Sequence, residues 1–93
     1  MFDKKYKAIV IDTETTGLNA GVDELLQVSI IDDEGKTLFN SYIKPSKTKS
    51  WDSAMAVNHI TPEMVANAPD IAKIKQEIGQ IINSAGIIIG YNT

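Results

Sequence analysis

The sequence contains no cysteine. That excludes a disulfide framework and any thiolate metal site, and it fits a reducing compartment, so a cytoplasmic location is expected. No apolar run is long enough to span a bilayer, and the Met1–Lys5 start is not followed by the apolar core of a signal peptide, so no membrane partner is expected. Histidine occurs once, as His59. Cationic residues are too few for a broad basic face: nine Lys and Arg stand against twelve Asp and Glu, a net charge of −3. This excludes a protein that grips nucleic acid through a large cationic surface. It does not exclude one that meets phosphates through bound divalent cations. No repeat, low-complexity tract or interdomain linker divides the chain, and 93 residues at 43% hydrophobic content make one small domain.

The most distinctive stretch is VIDTETTGL, Val10 to Leu18. An apolar run, Ala8-Ile9-Val10-Ile11, ends in two carboxylates one residue apart, Asp12 and Glu14. In an extended chain, side chains at i and i+2 share a face, with Cα atoms about 6.6–7 Å apart. Two like charges so placed repel unless a cation or hydrogen-bond donors lie between them, and hard carboxylate oxygens suit Mg²⁺ or Mn²⁺. Asp, Thr and Gly are also ordinary loop formers. Spacing alone therefore leaves two readings open, a metal site and a polar strand end.

Periodicity places the other elements. Lys7 to Thr13 reads as a buried strand, and Leu25 to Ile31 as a second, with Leu26, Val28 and Ile30 on one face. Asp32 to Gly35 reads as a hairpin turn into a third strand, Lys36 to Ile43. Lys44 to Trp51 is a polar loop. Thr61 and Pro62 read as the N-cap and first residue of a short helix ending near Ala66. Pro69 opens a longer helix whose packed face carries Ile71, Ile74, Ile78, Ile81 and Ile82, with Gly86 as its stop. Ile87-Ile88-Ile89, apolar on both faces, reads as a central strand parallel to the first. The order is βββαβ, an α/β mixed sheet that lacks a neighbour for its last strand.

With these elements in place, VIDTETTGL resembles the first motif of the DEDD-type 3′–5′ exonucleases. Two further stretches agree: AMAVNHITPEMVANAPD, Ala54 to Asp70, and IIIGYNT, Ile87 to Thr93. The match is closest to the exonuclease X and proofreading epsilon type, and βββαβ is the first part of the ribonuclease H-like fold of that family. The resemblance implies a metal-dependent nuclease acting on the 3′ end of DNA or RNA, preferably single-stranded. It implies that Asp12 bridges two divalent metals, Mg²⁺ or Mn²⁺, and that Glu14 binds one of them and orients the attacking water. The Thr15-Thr16-Gly17 turn would bring backbone amides to the terminal nucleotide. Leu18 would pack on its base, with an ordinary core leucine as the alternative.

His59 lies outside the family's third motif, which carries the general-base histidine. The resemblance gives Asn58 and His59 a nucleotide contact or a loop-stabilising role, and Asn58 stands where the exonuclease X type commonly has histidine. The family's second-motif aspartate and its whole third motif are not found up to Thr93. The chain is therefore expected to be the N-terminal portion, residues 1–93, of a single exonuclease domain, incomplete in fold and inactive alone. The alternative is a non-catalytic module, a fragment that self-associates or binds a partner. In either case a homo-oligomer through the open sheet at Ile87–Ile89 is expected.

Overall fold

The computed structural model of the chain describes residues 4–19 and 21–92. Three strands come first: β1 (Tyr6–Thr15), β2 (Leu25–Asp32) and β3 (Thr37–Tyr42). Helices α1 (Asp52–Asn58), α2 (Pro62–Val65) and α3 (Ile71–Asn83) follow, and β4 (Ala85–Asn92) comes last. The four strands form one sheet in the order β3-β2-β1-β4. β1 pairs antiparallel with β2 and parallel with β4, while β2 pairs antiparallel with β3. The sheet is mixed, as the βββαβ pattern implies. The hairpin between β2 and β3 closes through Gly35 N–H donating to Asp32 O, with Gly35 at φ 84°, a conformation that favours glycine.

One sheet face carries the core. Ile9, Val28, Ile30 and Ile43 are buried with Ile74 of α3 and Ala85 of β4, and Ile78, Ile81 and Ile82 pack against them. The isoleucine spacing of α3 is thus its packed stripe, except that Ile71, the first helical residue, is 43% exposed. A second cluster, Leu26, Trp51, Ile60 and Val65, seats α1 and α2 at the end of the same face. The Trp51 indole N–H donates to Ile60 O at 2.7 Å, which fixes the loop entering α1 to the loop leaving it. Thr61 caps α2 as its sequence implies, with Pro62 at the first helical position.

Three expectations need correction. α1 was not legible as a helix. α3 begins after Asp70, whose carboxylate caps Lys73 N, and ends at Asn83 with Ser84 as its C-cap, so Gly86 lies inside β4 and does not stop the helix. The reason is pairing: Ala85 already stands opposite Tyr6 in the parallel ladder, and Tyr6 N donates to Ser84 O. β4 is also not central. Among the described residues it is an edge strand, and Ile87, Ile88 and Ile89 are 57%, 48% and 43% exposed. No helix among the described residues is long and apolar enough to cross a membrane.

Candidate active site

Strand alternation sorts β1. Ile9 and Ile11 face the core, so Val10, Asp12 and Glu14 face the opposite side of the strand. Register sets their neighbours. Asp12 stands beside Ser29 of β2 and Tyr91 of β4, and Glu14 stands beside Gln27. Because β1 is paired on both sides, the backbone beneath Asp12 is held by two ladders. Asp12 lines a cleft of about 320 Å³ with Val10, Ser29, Ile31 and Tyr91. Glu14 lines a second cleft, of about 430 Å³, with Thr15, Thr16, Gly17 and Leu18 on one side and Ser53, Ala54, Val57 and Asn58 of the α1 segment on the other. Each carboxylate thus lines a cleft of its own, and the larger cleft is of a size that takes small ligands.

The turn after Glu14 is stitched from beneath. Thr15 Oγ1 donates to Gly17 O at 2.6 Å. Thr16, buried, donates its hydroxyl to Asp23 Oδ1 at 2.8 Å and accepts from Glu24 N at 3.0 Å. The other Asp23 oxygen accepts from Asn19 N at 2.9 Å. A Cβ on Gly17 would stand 2.7 Å from Asp23 Cγ, so the turn closes this tightly only with glycine there. Gly17→Ala should cost about 1–3 kcal/mol, the scale of overpacking. Thermal denaturation of single and double variants checks this: the cost should shrink in an Asp23→Ala background, and strictly additive effects would contradict the clash.

The turn projects Leu18 into solvent, 95% exposed, so it is no part of the core these residues form. Across the cleft Val57 is also exposed, at 71%. Two large aliphatic side chains thus line an apolar cleft together with the Glu14 carboxylate. Asn58 lines the cleft, and its amide is engaged by backbone: Nδ2 donates to Thr15 O at 3.2 Å, and Oδ1 accepts from Ile60 N at 3.0 Å. This ties the end of α1 to the end of β1. His59 is not part of the cleft lining. It is exposed and serves as the C-cap of α1, in the left-handed region at φ 60°, a conformation histidine adopts more readily than most residues.

Glu24, beside the Thr16 turn, accepts five hydrogen bonds through its carboxylate. Its Oε2 accepts from Ser46 N and Oγ, and its Oε1 accepts from Lys47 N, Thr48 N and Thr48 Oγ1. Partial burial pushes the carboxyl up, but the amides of Thr48 and Lys47 and both donors of Ser46 outweigh it and hold the pKa at about 2. Stability from this latch is present above the ordinary value of 4.5 and is lost as pH falls through about 2.

Among the described residues no group of three or more His, Asp or Glu converges. The donor set is two carboxylates on one face of β1, hard oxygens that fit a hydrated Mg²⁺ or Mn²⁺ keeping most of its waters. Of the cleft, the sequence did not disclose Ser53, Ala54, Val57 or the supporting Asp23. The Ala54–Val57 spacing lies inside the Ala54–Asp70 stretch, and Asp23 is the first of two acids that directly precede β2.

A family model described as exonuclease, RNase_T, matches residues 9–93. The exonuclease CP81 of Escherichia phage 186 is 37% identical over 84 residues, covering 90% of this chain and 42% of that relative. Exodeoxyribonuclease 10 of Escherichia coli K12 is 37% identical over 65 residues, covering 70% of this chain and 29% of the enzyme. The chain thus spans less than half the length of these relatives. Among solved structures, Escherichia coli exonuclease I in complex with a dA16 oligonucleotide superposes with a TM-score of 0.77 at 22% identity, over 94% of this chain and 21% of that one. At that identity the likeness concerns the ribonuclease H-like fold. With the family model spanning β1 to the end of the chain, the protein belongs to the exonuclease family.

Proposed function

We propose that the chain carries the first part of the active site of a metal-dependent 3′–5′ exonuclease that removes nucleotides from single-stranded 3′ ends. The observation that carries this reading is the pair Asp12 and Glu14 on one face of β1, with Glu14 lining an apolar cleft that exposed Leu18 and Val57 also line. A terminal base fits between two aliphatic walls, and its phosphodiester then lies toward the carboxylates. Family membership and the oligonucleotide complex of exonuclease I support the substrate class.

Asp12 and Glu14 would hold the divalent cations, two in the complete site, and Glu14 would orient the attacking water. Bound Mg²⁺ or Mn²⁺ would supply a lowered water pKa and charge stabilisation at phosphorus and the leaving 3′ oxygen. The chain's own residues then do three things. Leu18 and Val57 hold the base, the Gly17 turn lets backbone approach the sugar, and the carboxylates fix the line of attack. Hydrolysis breaks the bond between phosphorus and the 3′ oxygen, releasing a nucleoside 5′-monophosphate and leaving a new 3′ hydroxyl. Two carboxylates alone hold Mg²⁺ weakly, so the 93-residue chain by itself is expected to be inactive. The test is a 5′-labelled oligonucleotide, DNA or RNA, given to a chain extended to the length of its relatives, with and without Mn²⁺. Stepwise shortening from the 3′ end, blocked by a 3′ phosphate, is expected. Internal cuts or shortening from the 5′ end would overturn the direction.

A second reading rests on β4. Residues 85–91 carry no charge and no proline, the usual protections of a sheet edge, and Ile87, Ile89 and Tyr91 are exposed along one face of it. In the 93-residue chain we infer that a second copy covers this edge. Sedimentation at micromolar concentration should give a dimer that Ile89→Lys returns to monomer. A wild-type monomer would contradict this.

A further inference from the structure

The polypeptide from Lys44 to Trp51 lies far in sequence from the Thr15-Thr16-Gly17 turn, yet Glu24 touches both. Its backbone is paired with Thr16 in both directions: Thr16 N donates to Glu24 O at 2.9 Å, and Glu24 N donates to Thr16 Oγ1 at 3.0 Å. Its side chain accepts all five donors presented by Ser46, Lys47 and Thr48. That loop runs directly into α1, which supplies one wall of the larger cleft. At its other end α1 is tied to the same turn through Asn58 and Thr15 O. The α1 wall is thus anchored to the β1–β2 turn at both ends, and Glu24 is the anchor at the entering end.

We infer that Glu24 is a positioning residue for nucleotide binding: its carboxylate holds loop 46–48 while its backbone holds Thr16, and this sets the spacing between the Leu18 and Val57 walls of the cleft. The residue is not part of the cleft lining, so its effect passes through the loop and the turn. The chemistry of the latch demands a carboxylate. Both oxygens face donors only, and three of the five donors are backbone N–H groups that have no alternative polarity. A glutamine would turn its NH₂ toward at least one of those N–H groups. Aspartate would keep the charge but fall one methylene short of the loop.

The part of this inference that concerns nucleotides rests on the proposed function; the coupling of loop to turn does not. The experiment uses the ¹⁵N-labelled 93-residue chain, wild type, Glu24→Gln and Glu24→Ala. Amide exchange is read at residues 16–18 and 46–48 against Ile9 and Ile30 in the core. Thymidine 5′-monophosphate binding is read from shifts at Leu18 and Val57 in the presence of Mg²⁺, which is diamagnetic. In Glu24→Gln, exchange should rise by about tenfold or more at both 46–48 and 16–18, with the core unchanged, the scale of one lost charge-assisted hydrogen bond. The nucleotide Kd should rise several-fold. Added acetate should restore both readouts in Glu24→Ala, which a merely destabilised fold would not allow. Exchange that rises at 46–48 but not at 16–18 would overturn the coupling. A wild-type Kd in Glu24→Gln would overturn the positioning role. Absence of any wild-type shift at Leu18 and Val57 would count against the nucleotide reading of the cleft, and the exchange arm would still decide the coupling.

Discussion

Asp12→Ala, made in a chain extended to the length of the relatives, is expected to remove nearly all metal-dependent hydrolysis of a labelled oligonucleotide. The loss should exceed the two to four decades, roughly, that follow deletion of a general base. The reason is position. Asp12 stands on β1, which is paired on both sides, and its neighbours in the cleft are Ser29, Tyr91, Val10 and Ile31, none of which supplies a second carboxylate. Removing it leaves Glu14 as the only acid on that stretch of the strand. The fold should survive, because Asp12 faces away from the core formed by Ile9, Ile30 and Ile74. Steady-state nucleotide release with circular dichroism on the same sample checks both halves. A tenth of wild-type activity in Asp12→Ala would sink the assignment.

Trp51→Ala should be the most destabilising single change in the α1–α2 region, by about 3–5 kcal/mol, a large share of the 5–15 kcal/mol typical of a domain. Trp51 is 6% exposed and packs with Leu26, Ile60 and Val65. The substitution removes that volume and also the indole donor to Ile60 O. Trp51→Phe separates the two contributions. It keeps most of the packing and leaves one buried carbonyl unpaired, which costs about 1–3 kcal/mol. Urea unfolding curves decide this, and equal midpoints for Trp51→Phe and wild type would mean the hydrogen bond contributes nothing. The functional consequence follows from the fold. α1 buries none of its own residues, so its placement as a cleft wall depends on Trp51 before it and Asn58 at its end.

That dependence explains what the sequence could and could not disclose. β1, β2, the Asp32–Gly35 turn, the Thr61–Pro62 cap and the isoleucine stripe of α3 are local signals, set by period, turn chemistry and capping within a few residues. α1 has no such signal. Asp52–Asn58 shows no buried stripe, its N-cap Trp51 makes no side-chain cap, and tertiary contacts hold it. The end of α3 was misread because Gly86 looks like a C-terminal stop, whereas strand pairing with Tyr6 claims Ala85 first. The apolar character of Ile87–Ile89 was legible, but its place at an edge depends on which strands surround it. At the candidate site, Asp12, Glu14 and the turn to Leu18 were readable from the nine consecutive residues of VIDTETTGL. Asp23, Glu24 and Val57 were not, because their partners lie 7 to 24 residues away or across the cleft.

The central claim is that Asp12 and Glu14 form a divalent-cation site beside the Leu18–Val57 cleft. Paramagnetic broadening by Mn²⁺ tests it most directly. In a ¹⁵N-labelled sample titrated to roughly millimolar Mn²⁺, the affinity expected of two carboxylates, amides of Asp12, Thr13, Glu14 and Tyr91 should broaden first. Those of Glu34 and Glu77, acids in the β2–β3 hairpin turn and on α3, should persist. Asp12→Asn should abolish the selectivity. Broadening that is equal at all exposed acids, or unchanged in Asp12→Asn, would contradict the account.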